Sequence, residues 1–390
     1  MRITSKLEDK VLTISMEGKI DSDNAPKVEA GVNEALAQGD VEKVVLDFEK
    51  LEYITSAGLR VLLSVKKKYD NLVILDASSA VYEILEMTGF TRMIDVHRAL
   101  RHISIDGAPV IGEGFTATVY RIDGDTIVKV FKGARSIEKV QAEIDAAKQA
   151  FIYGIPTAIS FDIVKVGENL GVVFEMLDCA SLRDLILQHP ENFEEYKKMY
   201  ADLSYKITHT DAADSGLPDC KPPLLEKFQV LSTVLTKEEY DKLIGMMVAL
   251  PDTGTLTHGD FHIKNILVQN GEPILIDMDA VSLGHPIFEL EGIYLSCKAY
   301  NQAEPDNASR FFGVDQKILD DLYDALLERY FPGKTEAEMQ VIRDKIVLLS
   351  TAHLAYQTIH YKRELNGRLE KALTTLRELL GRYDDLEILN

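Results

Sequence analysis

Residues 258–267, which read HGDFHIKNIL, and the apolar run that continues to Asp277 constrain this chain more than any other stretch. Asp260 and Asn265 are five positions apart in a loop that enters a short apolar run, and Asp277 follows the asparagine by twelve positions. Phosphoryl transfer from a nucleotide needs one carboxylate to orient the acceptor hydroxyl and take its proton, and further oxygen ligands for magnesium. A hairpin would hold these three groups in the geometry that positioning catalysis requires. The pattern therefore predicts nucleotide-dependent phosphoryl transfer.

The same segment resembles the catalytic loop of the aminoglycoside phosphotransferase and choline-kinase-like families, in which His-Gly-Asp is followed by His and Asn. The resemblance covers about residues 105–390 and implies a protein-kinase-like fold. Asp260 is then expected to be the base that orients the hydroxyl, with Asn265 and Asp277 as Mg²⁺ ligands. His262 falls where protein kinases place a lysine. It lies either near the transferred phosphate or against the loop as a brace, and the sequence leaves both open.

A strand, a glycine turn and a second strand precede this segment, as in a nucleotide-binding sheet. Gly112 and Gly114 would let the backbone approach phosphates closely, and Val119 could lie under the adenine. Two glycines alone are a weak signal. By resemblance to kinases, backbone groups at Glu175 and Leu177, at the predicted crossover between two lobes, would bind the adenine edge. Plain core and linker positions explain these two residues equally well.

Lys129 strengthens the prediction of a nucleotide site, because it lies inside the apolar run TIVKVF. Burying a lysine is costly unless an anion accompanies it. Its expected partners are the α- and β-phosphates of ATP and a glutamate of the next helix, which offers Glu138 and Glu143. Glu143 is preferred because its spacing of 14 positions allows a turn and two helical turns. The alternative is a lysine whose stem covers an edge strand while its ammonium stays in water.

After Leu182 apolar residues recur at three- and four-residue spacing, which predicts a helical lobe. The predicted helices are 182–188, 193–208, 224–234, 237–250, 288–299, 315–330, 336–361 and 368–382.

Two departures from the protein-kinase pattern favour a small-molecule hydroxyl acceptor. Gly259 stands where protein kinases carry an arginine that binds an activation-loop phosphate, and the loop after Asp277 is only nine residues long. The acceptor is expected against the helical lobe, near Glu289, Glu291 and Tyr294.

The first hundred residues alternate strand-like and helix-like stretches, which predicts a partly parallel sheet with helices packed on it. The segment ITSAGL, residues 54–59, reads as a strand end that turns into a helix. This region resembles a STAS domain, the fold of anti-sigma-factor antagonists, in which a phosphorylatable serine or threonine begins this helix. The resemblance implies a protein partner for the domain.

Ser56 is the candidate phosphosite, with Thr55 as the alternative. A helix N-terminus would favour a phosphate, while the added charge would repel an acidic or apolar partner surface. The competing interpretation is that Ser56 or Thr55 only caps the helix. The family often has Asp-Ser-Ser-Gly or Asp-Ser-Thr-Gly here, and Ala57 before the glycine cannot accept phosphate.

Bulk properties exclude several classes of protein. The net charge of −20 disfavours nucleic acid and anionic lipid as partners. Three scattered cysteines form neither a disulfide framework nor a zinc site, so a reducing cytoplasm is expected. The N-terminus lacks the apolar core of a signal peptide, and no apolar run can span a bilayer.

The sequence therefore predicts an α/β STAS-like domain over residues 1–104, followed by an α+β bilobal protein-kinase-like domain over 105–390, with a small lobe to about 178. The leading hypothesis is a cytoplasmic kinase that uses ATP and Mg²⁺ to phosphorylate a small-molecule hydroxyl, with the STAS-like domain as regulator or docking surface. A second hypothesis makes Ser56 of a STAS domain, in the same or another chain, the acceptor. A third is a signalling adaptor that only senses nucleotide.

Overall fold

The computed structural model describes residues 1–37, 39–114, 116–362 and 367–389. These residues divide into two compact units. The first unit contains residues 1–104 and 163–168, and the second contains residues 105–162 and those from 169 onward. Within the described residues, no helix is both long enough and apolar enough to cross a membrane.

The strands are β1 (Arg2–Glu8), β2 (Val11–Ile20), β3 (Lys43–Asp47), β4 (Leu51–Ile54), β5 (Leu72–Ala77), β6 (Asp95–Arg98), β7 (Arg101–His102), β8 (Val110–Glu113), β9 (Ala117–Arg121), β10 (Thr126–Phe131), β11 (Ser160–Val166), β12 (Asn169–Glu175), β13 (Ala180–Ser181), β14 (Leu256–Thr257), β15 (Ile266–Gln269), β16 (Glu272–Leu275) and β17 (Ser282–Leu283).

The α-helices are α1 (Ala25–Leu36), α2 (Ser56–Lys68), α3 (Ser79–Met87), α4 (Ile137–Ile152), α5 (Leu182–Gln188), α6 (Phe193–Thr208), α7 (Lys221–Phe228), α8 (Lys237–Ala249), α9 (Pro286–Tyr294), α10 (Tyr300–Ala303), α11 (Asn307–Phe311), α12 (Gln316–Tyr330), α13 (Glu336–His360) and α14 (Arg368–Arg382).

The first unit is built on a mixed sheet with the strand order β1-β2-β3-β5-β6, and β4 pairs with β2. Among the described residues of this sheet, only the β1–β2 pair is antiparallel, because a two-residue turn joins these two strands, while the parallel pairs are connected through helices. Residues of β2 alternate between buried and partly exposed positions, as its period of two requires. The buried face joins residues of the three helices in one apolar core. The predicted α/β fold of this region is confirmed.

Close packing at the start of α2 depends on Gly58. A Cβ atom at this position would lie 2.6 Å from the Ile54 side chain and 2.7 Å from the Ile20 side chain. Because heavy atoms cannot approach this closely, a glycine is needed for the first turn of α2 to lie against β2 and β4.

The second unit combines a small antiparallel sheet with a larger helical part. In the sheet β10 lies between β9 and β12, and β8 pairs with β9. The helices share one large apolar core with the β15–β16 hairpin. Two of them begin with a capping box, at Thr236 in α8 and at Thr335 in α13, which satisfies backbone amides at the helix start. The predicted α+β kinase-like fold is confirmed.

Candidate active site

The β15–β16 hairpin brings Asn265 and Asp277 to the same end of a two-stranded ladder. Ile266 pairs with Leu275, and the Ile276 amide donates a hydrogen bond to the Asn265 carbonyl oxygen at 3.0 Å. Asp277 then adopts a left-handed conformation with φ 63° and ψ 59°. Such a conformation is uncommon outside glycine, although aspartate adopts it more readily than most residues.

Asn265 also connects the hairpin to the catalytic loop. Its side-chain nitrogen donates to the carbonyl oxygen of Asp260 at 3.0 Å and to that residue's carboxylate at 3.2 Å. The Asn265 side chain is buried, whereas the Asp260 carboxylate is about half exposed, at 54%. An exposed carboxylate beside a fixed amide can meet an incoming hydroxyl group.

His262 faces Asp260 from a buried position. Its Nε2 atom lies 3.7 Å from the Asp260 carboxylate, beyond hydrogen-bond distance, and its ring packs edge-on against Phe312 and Phe311. Burial lowers the pKa of His262, although the nearby Asp260 carboxylate opposes that shift. Within the described residues its Nδ1 atom has no hydrogen-bond partner. Both roles considered for His262 therefore stay predictions.

Lys129 joins the small sheet to the β15–β16 hairpin. Its ammonium group lies 2.7 Å from a carboxylate oxygen of Glu143 on α4 and 2.7 Å from one of Asp277. Burial alone would lower the pKa of Lys129, but the two carboxylates outweigh burial and raise it. The lysine likewise holds the pKa of Asp277 below its usual range, against the effect of burial. Of the two glutamates considered in the sequence, Glu143 is the one that pairs with the lysine.

Asp279 is a third carboxylate near Lys129. Burial, with the charges of Asp277 and Glu143, raises the pKa of Asp279 to about 6. The Asp279 side chain therefore adds negative charge to the cluster only above that pH.

The remaining predicted nucleotide-binding residues lie on the small sheet. Gly112 pairs with Val119 across β8 and β9, and Val119 in turn pairs with Lys129 across β9 and β10. The Gly114 amide donates to the Ala117 carbonyl oxygen at 2.9 Å, which closes the turn between the strands. Neither glycine has a positive φ, so the backbone conformation itself does not require them. Their contact with phosphate stays a prediction.

Glu175 and Leu177 lie where the sheet ends. Glu175 is the last residue of β12 and is exposed, and Leu177 follows in an irregular segment. The intervening Met176 amide donates to the Asp125 carbonyl oxygen at 2.8 Å. Their role at the adenine edge stays a prediction.

Glu289 anchors the catalytic loop, a role that the sequence analysis missed. One of its carboxylate oxygens accepts hydrogen bonds from the backbone amides of His258 at 2.8 Å and Gly259 at 3.0 Å. The side chain is buried, and burial raises the pKa of Glu289 to about 7. A glutamate inside the apolar stretch PIFELEGIY was the available signal, because a buried carboxylate needs a partner.

The expectation that Glu289, Glu291 and Tyr294 form an acceptor surface is wrong, because all three side chains are buried. Glu289 is occupied by the loop backbone, and the buried Glu291 carboxylate accepts a hydrogen bond from His353 at 2.9 Å. Tyr294 is also buried, within 3.4 Å of the Gln302 side-chain nitrogen. These helix positions support the loop from inside the core, because α9 buries nearly all of its surface.

His258 is the second support of the loop that the sequence analysis missed. Its Nε2 atom donates to the Ile276 carbonyl oxygen at 3.1 Å, while Nδ1 accepts from the Asp260 amide at 3.2 Å. Burial lowers the pKa of His258 to about 4, so the neutral ring makes both bonds. His258 thus ties the loop that carries Asp260 to the residue that precedes Asp277.

Ser56 is exposed as the first residue of α2. Thr55 occupies the N-cap position, yet its hydroxyl makes no capping hydrogen bond and is buried without a partner among the described residues. Capping by Thr55 is therefore absent from this helix start, and phosphorylation of Ser56 stays a prediction.

The donor set suits Mg²⁺. In the part of the chain that the structure describes, no cluster of three or more His, Cys, Asp or Glu side chains could hold a metal ion. Asn265 and Asp277 would instead supply one amide oxygen and one carboxylate, since the amide nitrogen of Asn265 is already used. Mg²⁺ at phosphoryl-transfer sites is usually bound by one or two side-chain oxygens together with substrate phosphates.

The fold and these side chains define a phosphotransferase with a kinase-like catalytic domain. The chain belongs to the phosphotransferase enzyme family, whose model matches residues 107–338, and residues 2–103 match the STAS domain model. The predicted domain types and the predicted phosphotransferase class are therefore confirmed.

The chain is also similar to individual proteins and solved structures. The "Putative anti-sigma factor antagonist BtrV" of Bordetella bronchiseptica is 35% identical over 100 residues, which are 25% of this chain and 85% of the relative. A choline/ethanolamine kinase family protein from Mesorhizobium loti has a TM-score of 0.44 at 15% identity, covering 70% of this chain and 91% of its own. Amicoumacin kinase hAmiN, solved with AMP-PNP, Ca²⁺ and Ami, has a TM-score of 0.46 at 13% identity, covering 83% and 96% respectively.

Proposed function

We propose that this protein transfers the γ-phosphoryl group of ATP to a hydroxyl group of a small molecule, and that Mg²⁺ is its cofactor. The observation that carries the proposal is the position of the Lys129 ammonium, 2.7 Å from both Glu143 and Asp277. In kinases a strand lysine paired with a helix glutamate holds the nucleotide phosphates, and a loop aspartate close by binds the metal. The STAS domain is then a regulatory or docking domain.

Four polar side chains, those of Asp260, Asn265, Asp277 and Lys129, have distinct tasks in this proposal. Asp260 orients the acceptor hydroxyl and takes its proton as the oxygen bonds to phosphorus and the bond to the leaving phosphate oxygen breaks. Asn265 and Asp277 would hold Mg²⁺, which when bound neutralises charge on the nucleotide phosphates. Lys129 binds the phosphates, and Asn265 also holds Asp260 through the two hydrogen bonds from its amide nitrogen.

The test is transfer of labelled phosphate from ATP, with magnesium, to a panel of amino-sugars, amino-alcohols and nucleosides. Label should appear on a small molecule with the wild-type chain. The variant Asp260→Asn should lose about a hundredfold or more of this activity while binding ATP nearly as the wild type does, because only the proton acceptor is removed. Asp184→Asn is the matched control, since that partly exposed aspartate binds Ser181 and Arg183 outside the proposed set.

A second candidate acceptor is Ser56 of a STAS domain, in the same chain or another. The exposed position of Ser56 at the start of α2 favours this candidate. Label on the protein that disappears in Ser56→Ala would support it, and label on a small molecule would support the first. Tight ATP binding with neither product would instead favour a nucleotide-sensing adaptor.

A further inference from the structure

His285 caps α9, the helix that carries Glu289, and its side chain is completely buried. The Nδ1 atom of its ring accepts a hydrogen bond from the Ile287 backbone amide at 3.2 Å, which satisfies one of the free amides at the helix start. Burial lowers the pKa of His285, so the ring is neutral at neutral pH. Because Nδ1 is an acceptor, the single ring proton lies on Nε2.

Glu387 binds the other nitrogen of this ring. The Glu387 Oε1 atom lies 3.2 Å from His285 Nε2, so the ring donates a hydrogen bond to the carboxylate. The same oxygen accepts hydrogen bonds from the backbone amides of Ile388 at 3.0 Å and Leu389 at 2.8 Å. Three donors therefore hold this oxygen in place, and its position in turn fixes the tautomer of His285.

The segment that carries Glu387 is itself anchored to the helical core. Lys345 on α13 is buried and donates to the Asp385 carboxylate and, at 2.7 Å, to the Glu387 carbonyl oxygen. The side chains of Leu386 and Ile388 are buried in the apolar core. The Glu387 carboxylate is therefore presented from a fixed backbone, as a group that must orient another side chain should be.

A short series of contacts links the start of α9 to the catalytic loop. Glu289 lies one helical turn after His285 and binds the backbone amides of His258 and Gly259. These two residues directly precede Asp260. A shift in the start of α9 would therefore displace the loop, and a misplacement of about 1 Å can lower a reaction rate by up to about a hundredfold.

We infer that Glu387 is a positioning residue for phosphoryl transfer, which acts through His285 and α9 on the catalytic loop. The carboxylate keeps the ring proton on Nε2, which leaves Nδ1 free to accept the Ile287 amide. This cap holds the start of α9 and with it the position of Glu289 against the loop. The inference rests on the proposed function, because it assumes that Asp260 takes the proton of the acceptor hydroxyl.

The first test is steady-state kinetics of phosphate transfer from ATP, with magnesium, to the panel member that accepts most label. Glu387→Ala should lower kcat about three- to tenfold and leave KM for ATP within about twofold, because Lys129 lies on the separate small sheet. Glu387→Gln keeps an acceptor oxygen and should retain kcat within about twofold. Asp384→Asn is the matched control: this exposed aspartate of the same segment binds Lys242, and its loss should change neither parameter.

A double-mutant cycle tests whether Glu387 acts through His285. His285→Asn keeps a good N-cap residue at the start of α9, but its shorter side chain cannot reach Glu387. In this background Glu387→Ala should change kcat by less than about twofold, since the contact is already lost. Should Glu387→Ala fail to fold, Glu387→Met, which keeps most of the side-chain volume, takes its place in both tests.

NMR of the histidine ring nitrogens provides a readout that a purely structural role would not change. The His285 signals are those missing from the spectrum of His285→Asn. They should show one neutral tautomer, protonated on Nε2, in the wild type and in Glu387→Gln. In Glu387→Ala they should show a mixture of both neutral tautomers, because nothing then selects Nε2.

Three results would overturn the inference. Wild-type kcat in Glu387→Ala would make the Glu387 contact purely structural, whether or not the variant is less stable. An equal fall in kcat in the wild-type and His285→Asn backgrounds, or an unchanged His285 tautomer in Glu387→Ala, would exclude the route through His285. A wild-type chain that transfers phosphate to no acceptor overturns the proposed function and this inference together, whereas an active wild type that gives any of the three results overturns only the inference.

Discussion

The Glu289 carboxylate accepts the backbone amide hydrogen of His258 at 2.8 Å, although 31 positions separate the two residues. The same oxygen accepts the Gly259 amide at 3.0 Å, while the other oxygen is buried without a partner among the described residues. Because burial raises the pKa of Glu289 to about 7, much of this side chain is protonated at neutral pH. The partnerless oxygen is then the site for that proton, since both amides bind the other one.

Glu289→Gln should therefore retain transfer activity within a few-fold, because an amide reproduces the shape and the acceptor of the protonated acid. Glu289→Ala should lower kcat about tenfold or more with little change in nucleotide affinity, since the two loop amides lose their acceptor and Asp260 loses its fixed position. Steady-state kinetics of the two variants checks this. Equal loss in both variants would mean that a charged Glu289 is required.

Stability should respond to pH through Glu289. Its folded-state pKa of about 7 lies above the ordinary value of 4.5, so the folded state binds the proton more tightly than the unfolded state. The resulting stabilisation is complete below pH 4.5 and is lost as the pH rises through 7. Relative to Glu289→Gln, the wild type should lose about 3 kcal/mol of unfolding free energy over this range. Urea unfolding followed by far-UV circular dichroism at several pH values measures it, as the chain lacks tryptophan. A difference in unfolding free energy between the wild type and Glu289→Gln that stays constant with pH would contradict this prediction.

His258 should act in the opposite direction. Burial lowers its folded-state pKa to about 4, below the ordinary 6.5, so the unfolded state takes up the proton first as the pH falls. As the pH falls from 6.5 to 4, the unfolding free energy of the wild type should drop by about 3 kcal/mol relative to that of His258→Asn. Above pH 7 the difference in unfolding free energy between the two proteins should be constant. The same unfolding measurement detects this. If the wild type instead gained unfolding free energy relative to His258→Asn as the pH falls, His258 would be protonated in the folded state.

Gly259 should be irreplaceable in the catalytic loop. Its φ of 79° is left-handed, and a Cβ atom there would lie 2.8 Å from the Ala280 Cβ atom and 2.9 Å from its carbonyl oxygen. Gly259→Ala should lower kcat about tenfold or more, because the neighbouring Asp260 must move when the loop shifts. Gly271→Ala is the matched control: its φ of 83° is also left-handed, but nothing lies within 4 Å of the added atom. Equal effects on kcat would make backbone strain, and not the close approach to Ala280, the cause.

Local sequence pattern predicted most of the helical lobe. The helices 182–188, 193–208 and 368–382 have the predicted bounds, since apolar periodicity and local capping decide where such helices begin and end. The predicted helix 288–299 instead begins at Pro286, because a proline is well suited to the first turn of a helix. Beyond Tyr294 it continues as a π-helix. The pairing of Lys129 with Glu143 was also predictable, because a lysine in an apolar strand requires an anion.

Contacts between distant parts of the chain were not predictable in the same way. Asp277 reaches Lys129 across 148 positions and Glu289 reaches the loop across 31, and no periodicity in one sequence encodes either pairing. The acceptor surface was misplaced for the same reason. The sequence alone does not distinguish a helix glutamate that faces a substrate from one that binds loop backbone. The fold does so by showing which residues of α9 are buried.

Gly58 provides a test of packing in the STAS domain. Gly58→Ala should destabilise this domain by about 1–3 kcal/mol, because the new methyl group would lie 2.6 Å from Ile54 and 2.7 Å from Ile20 and the first turn of α2 would have to move away. Hydrogen exchange of the α2 amides measures the effect where it arises, and these amides should exchange faster in the variant. Gly245→Ala is the control of opposite sign: it lies inside α8 with nothing within 4 Å, so alanine should stabilise the chain by about 0.5–1 kcal/mol. Wild-type protection of α2 in Gly58→Ala would mean that the Ile20 and Ile54 side chains can repack, and that the close contact at the start of α2 contributes little to the stability of the domain.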